Sequence, residues 1–179
     1  MCMRKRQKIM TRLFCVLLVL CALLWSATGC GSGVESYFSF REQDFRAELA
    51  GVMGEVAFRA TASALRVDGG EGRVMRVSYS EPSYLAGVTV EAFPDGSARI
   101  SDGEIETEST SQAMAGLLSP VSSLFWGEEI ATVQREGGQT VLGFPDGSRL
   151  SLSEDGLPVR FYSVKMSYEV QSWSTENGL

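Results

Sequence analysis

From Phe45 onward the chain alternates apolar and polar residues with a period of two. Phe45, Ala47 and Leu49 alternate with Arg46 and Glu48; Phe58, Ala60, Ala62 and Ala64 alternate with Arg59, Thr61 and Ser63; Met75, Val77 and Tyr79 alternate with Arg76 and Ser78. Leu150 and Leu152 repeat the pattern, and near the end Val164, Met166, Tyr168 and Val170 oppose Lys165, Ser167, Glu169 and Gln171. Such alternation predicts antiparallel strands with one face in water and one in the core. Arg59, Arg73 and Arg76 are all expected to face outward. Turn signals separate the runs: Asp68-Gly69-Gly70, Asp95-Gly96, Asp102-Gly103, Gly137-Gly138, Asp146-Gly147 and Asp155-Gly156.

One stretch occurs twice. "TVEAFPDGS" at Thr89–Ser97 returns as "TVLGFPDGS" at Thr140–Ser148, with seven of nine residues identical. Proline fixes φ at the first turn corner, aspartate suits the second, and glycine takes the left-handed position that closes a hairpin. Each "FPDGS" is therefore read as a hairpin tip and not as a calcium loop, which would need further oxygen ligands at fixed offsets.

Thr110–Trp126 breaks the two-residue period. Met114, Leu117, Leu118, Val121 and Phe125 recur at helical spacing. Pro120 falls inside this stripe and predicts two short helices, with Ser119 capping the second and Pro120 at its first position. About ten strands and one broken helix leave a broad dry face to cover. The predicted fold is thus mainly β: a single curled antiparallel sheet, or incomplete β-barrel, with the helix as lid or plug. Alanines at positions 60, 62 and 64 of one inner face would leave room inside.

The first residues change the picture. Arg4, Lys5, Arg6, Lys8 and Arg12 precede the apolar run Leu13–Trp25, and small residues lead to Cys30. A basic head, a short apolar core and a small-residue exit predict a secretory signal peptide over residues 1–29. "ATGC" resembles a bacterial lipobox, which implies lipidation of Cys30. The four cysteines stand at 2, 15, 21 and 30, so cleavage would leave Cys30 without a disulfide partner. Acylation gives it a purpose, since several acyl chains together anchor a protein stably. Residues 30–44 then form a lipidated cysteine and tether, 45–173 the domain, and 174–179 a C-terminal tail. The expected location is the extracytoplasmic side of the cell membrane, or of the outer membrane in a cell with two. Tyr37, Phe38 and Phe40 are expected to dock on the domain.

Charge and residue types narrow the chemistry. All 22 acidic residues follow Cys30, against 11 basic ones there. So acidic a surface repels nucleic acid, and no nucleic-acid partner is expected. The chain has no histidine, and past Cys30 no cysteine. Ser-His-Asp and Cys-His catalysis and ordinary zinc sites therefore have no residues to work with. Glu104, Glu106 and Glu108 share a strand face, and Glu128 and Glu129 follow the helix; they read as a solvated acidic surface. The expectation is a monomeric non-enzyme with no metal or cofactor.

Four segments together resemble the LolA/LolB-like group of lipoprotein carriers, including Gram-positive forms: "FRAELAGVMGEVAFRATASALRV", "VSYSEPSYLAGVTVEAFPDG", "AMAGLLSPV" and "SEDGLPVRF". Their order carries the resemblance, which spans most of 45–173. It implies an incomplete antiparallel barrel closed by helices, with an apolar interior able to hold acyl chains. The expected lining is Phe58, Ala60, Ala62, Met75 and Val77 from the sheet, under Met114, Leu117, Leu118 and Val121 from the helix. Two functions remain open: an anchored binder of a lipid or other apolar ligand, or a packed interaction module that engages an envelope partner.

Overall fold

The structure is a computed structural model that describes residues 35–67, 72–125 and 129–175. The leader, Cys30, the Asp68-Gly69-Gly70 turn, Trp126, Glu128 and residues 176–179 lie outside the described residues. The chain falls into two units, Met1–Tyr37 and Phe38–Leu179. A 3₁₀ segment, Glu35–Glu42, leads into the second.

The strands are β1 (Phe45–Met53), β2 (Val56–Arg66), β3 (Arg73–Glu81), β4 (Thr89–Ala92), β5 (Ser97–Ser101), β6 (Glu106–Thr110), β7 (Thr132–Glu136), β8 (Gln139–Gly143), β9 (Arg149–Leu152), β10 (Pro158–Tyr162) and β11 (Met166–Thr175). They form one antiparallel, unclosed, curled sheet of eleven strands in the order β6-β5-β4-β3-β2-β1-β11-β10-β9-β8-β7. Helix α1 (Ala115–Ser122) lies between β6 and β7 in sequence and packs on β2, β3 and β4.

The expected alternation sets the inner face. Ala47, Ala62, Val77, Val90 and Ile100 are successive cross-strand partners in one row. On the other side of β1, a row runs Gly51, Tyr168, Phe161, Leu150 and Leu142. Apart from Ile100 and Gly51, every member of both rows is buried. Small side chains on β1 and β2 let the helix lie close to the sheet, and Leu118, Pro120 and Val121 are its buried residues.

Both repeats are hairpin tips. The amide of Gly96 donates to Phe93 O, and that of Gly147 to Phe144 O, each at 3.0 Å. Gly96 and Gly147 have φ of +84° and +83°, where a β-carbon is strained. Asp95 Oδ1 accepts the amide and hydroxyl of Ser97 at 2.9 and 2.6 Å, and Asp146 does the same for Ser148. Strand direction puts the first tip at the end of the sheet where β1 begins, the lower end. The second tip is at the upper end, where β1 finishes.

Three expectations need correction. The helix is not broken at Pro120: α1 runs through it, and a 3₁₀ turn, Ser123–Phe125, follows. Proline leaves the Gly116 carbonyl without its helical donor, and the Ser119 hydroxyl donates to that oxygen at 2.7 Å. Ser119 is therefore a repair inside one helix and not a cap. Arg73 does not face outward: it shares the side of Met75 and Val77 at the lower rim. Its side chain is 17% exposed, its Nε lies 3.5 Å from Asp44, and it donates to the carbonyl of Glu42. Val164 belongs to no strand; β11 begins at Met166, and Val164 is 94% exposed in the preceding turn.

The lower end is closed by aromatic packing. Phe40 is buried and meets Trp173 edge-on, while Phe45 stacks on Trp173 with ring centroids 4.3 Å apart. Arg41 lies over the Phe38 ring and donates from Nε to Leu124 O at 2.9 Å. Burial lowers the Arg41 guanidinium to about 10, which still leaves it charged at neutral pH.

Candidate functional site

The upper end stays open beside α1. A cleft of about 310 Å³ lies there, lined by Ser119 and Ser123 from the helical segment, Asp146 from the second tip, and Phe161, Ser163, Val164, Lys165 and Met166 from β10, its turn and β11. Phe161 and Met166 belong to the inner face, so the cleft reaches the buried side of the sheet. The β10–β11 turn is tied down on both sides. Lys165 O accepts the Gly54 amide at 2.8 Å, and Ser163 Oγ donates to Met166 O at 3.1 Å.

Hydroxyl groups around the helix act as struts. Tyr79 Oη donates to Leu117 O at 2.6 Å, and Ser123 Oγ lies 2.8 Å from Tyr168 Oη and donates to Pro120 O at 3.0 Å. Burial pushes both phenols up, with the Ser123 hydrogen bond partly offsetting this at Tyr168. Both tyrosines are neutral at physiological pH and hold α1 by hydrogen bonds alone. Ser119 Oγ, engaged with Gly116, also lies 3.4 Å from the sulfur of Met53 and 3.7 Å from that of Met166.

A larger, more open cleft of about 720 Å³ lies at the lower end, lined in part by Val74, Phe93, Pro94, Arg99 and Glu108. Val74, Arg99 and Glu108 alternate with inner-face residues, which places this cleft mainly on the wet side, with the buried Ala98 also on its wall. Arg99 on its wall is held by charge, its Nε 3.0 Å from Glu106. The smaller cleft is the better candidate because it alone of the two reaches the apolar inner face around Met166 and Phe161.

The nine expected lining residues sit together under and on the helix. Phe58, Ala60, Ala62 and Val77 are buried on the inner face, with Met75 half-buried beside them; Leu118 and Val121 are buried above, with Met114 and Leu117 half-buried. None of the nine lines the 310 Å³ cleft. Of the residues that do, Val164, Lys165 and Met166 were legible in the sequence only as strand positions. The approach of Asp146 and the serines needed the sheet to curl. Among the described residues the acidic groups singled out from the sequence assemble no paired site: Glu104 precedes β6, Glu106 is tied to Arg99, Glu108 lies across from Arg99, and Glu129 is exposed.

No family model and no curated protein matches the chain. Among solved structures it is similar to an uncharacterized conserved protein from Thermus thermophilus, at 15% identity over 82% of this chain and 85% of that one, with a TM-score of 0.50. It is more loosely similar to a putative outer membrane lipoprotein-sorting protein domain from Vibrio parahaemolyticus, at 10% identity, 76% and 87% coverage and a TM-score of 0.44. A DUF1329 family protein from Desulfovibrio piger follows at 10% identity, 82% and 94% coverage and a TM-score of 0.40. The first of these likenesses is one of fold.

Proposed function

We propose that this chain is an exported lipoprotein, anchored through lipidated Cys30, whose curled sheet holds a lipid or other apolar ligand. The observation that carries the reading is the cleft beside α1, which opens at the upper end and leads to the apolar inner face at Phe161 and Met166. Its volume falls at the small end of ordinary ligand pockets. The ligand enters there, and movement of α1 off the sheet extends the site over Phe58, Ala60, Ala62, Met75 and Val77, with Met114, Leu117, Leu118 and Val121 as the lid. The struts at Tyr79 and Tyr168 set the cost of that movement.

Native mass spectrometry of the full-length protein from its expression host tests the binding. A retained lipid that organic solvent strips is the expected result; a bare protein that takes up no added phospholipid or fatty acid overturns the reading. The anchor is tested separately. Cys30→Ser should move the protein from the detergent to the aqueous phase, and retention of the variant in detergent would assign anchoring to the apolar leader instead.

One observation favours the packed interaction module: Ala62, Val77 and Val121 have no exposed surface at all. Under that reading Ala62→Phe overpacks the space below α1, costs roughly 1–3 kcal/mol and leaves lipid retention at zero in both proteins. In the binding reading the same variant retains less lipid than wild type.

A further inference from the structure

We infer that the cleft beside α1 reads the negative end of its ligand through Lys165, so that the ligand class is a single-chain anionic amphiphile; the inference rests on the reading of this cleft as an apolar-ligand site. Lys165 is the only lysine after Lys8. It stands in the turn at the upper rim and lines the same cleft as Phe161 and Met166. Its backbone is fixed from both sides, the carbonyl by the Gly54 amide at 2.8 Å and the amide by Ser163 Oγ at 3.3 Å. The stem therefore starts from a set point, and a four-carbon stem can follow apolar surface while its ammonium stays in water.

Among the described residues Arg46, Arg135, Arg149 and Lys165 make no ion pair, and of these four Lys165 is the one that lines the apolar cleft. Ion pairs among the described residues engage Arg59, Arg66, Arg73, Arg76, Arg99 and Arg160 with carboxylates, and none engages Lys165. Asp146 also lines the cleft and keeps its negative charge, but the amide and hydroxyl of Ser148 hold its Oδ1 in its own turn, and no ion pair among the described residues joins it to Lys165. After Cys30 acidic groups outnumber basic ones two to one, yet the apolar opening carries a cation that no carboxylate of the described residues pairs with. A negative group is attracted there more strongly than in bulk water, because the apolar wall lowers the local dielectric. The hydroxyls inside are already engaged: Ser119 with Gly116, Ser123 with Tyr168 and Pro120. The interior selects for hydrocarbon and the rim for negative charge. A volume of about 310 Å³ suits one chain better than two.

A carboxylate and a phosphate share this chemistry, and calorimetric titration of the full-length protein with dodecanoate, dodecyl phosphate and dodecanol separates them. We expect at least one anion to bind about tenfold more tightly than the alcohol, with the preference shrinking at high salt. Preference for dodecanoate alone identifies a free fatty acid; preference for dodecyl phosphate alone identifies a phosphate ester. Lys165→Gln should bring the ratio to about one, and Lys165→Arg should keep it. Equal binding of anion and alcohol in wild type, or a preference that survives in Lys165→Gln, overturns the role of Lys165 while leaving the apolar site standing. Failure of all three compounds to bind removes the apolar-ligand reading and this inference together.

Discussion

The Ser119 hydroxyl donates to the Gly116 carbonyl at 2.7 Å, and so fills the place of the backbone amide that Pro120 lacks. A proline inside a helix both removes that donor and crowds the carbonyl four residues back. Here the preceding side chain satisfies the oxygen, and a helix of only eight residues passes through its proline unbroken. The compensation is local, while Pro120 and Val121 stay buried against the sheet.

Ser119→Ala should therefore destabilise the domain by about 1 kcal/mol, the usual net value of such a bond. In a Pro120→Ala background the new amide supplies the missing donor, and the same serine change should cost much less. A double-mutant cycle by urea denaturation measures the coupling; additive effects would show that Ser119 acts through the methionine contacts instead.

Gly96→Val and Gly147→Val should each cost roughly 1–3 kcal/mol, because both glycines hold a left-handed φ in which a β-branched residue is strained. No atom beyond the adjacent residues lies within 4 Å of either added β-carbon, so backbone conformation and not a steric clash at that carbon sets the cost. Urea midpoints that match wild type would contradict the turn assignment.

Gly51→Ala should be damaging for a different reason. Its β-carbon would lie 2.0 Å from the Ser167 carbonyl oxygen and 2.6 Å from the Tyr168 α-carbon. Both are backbone of β11, which cannot swing aside as a side chain would. A loss at or beyond the upper end of the roughly 1–3 kcal/mol range for overpacking is expected, read as a lower thermal midpoint.

Hydrogen bonds from the hydroxyl and amide of Ser97 hold the Asp95 carboxyl below its ordinary value of 3.8. The folded form thus prefers the carboxylate, and its stabilisation is complete above the unfolded value. It is lost as pH falls from about 3.8 through the lower folded value. Asp95→Asn should flatten the stability profile in that acid window, lying below wild type near neutrality, where the carboxylate's contribution is complete, and meeting it in acid. A variant whose acid profile follows wild type would assign the window to other carboxylates.

Which side chains face inward along most strands, and where the main turns fall, is legible in the amino-acid order alone. Both follow from short-range geometry: successive strand residues point to opposite faces, and Pro-Asp-Gly has few conformations open to it. Thus alternation alone puts Ala60, Ala62 and Val77 on the dry face, and turn chemistry alone puts Gly96 and Gly147 at the tips. What needed the tertiary structure was every feature that depends on distant backbone. A bulge opposite Glu48 and Leu49 shifts the register of β11, so Trp173 returns to the inner side and meets Phe45, although strict alternation from Tyr168 would have turned it outward. The rim position of Arg73 depends on Asp44 and Glu42 across the lower end. The cleft at Lys165 forms where the β10–β11 turn, the second hairpin tip at Asp146 and α1 at Ser119 come together. Local preference fixes the orientation of a residue within its strand; only the curl of the sheet decides which strands, turns and helix share one opening.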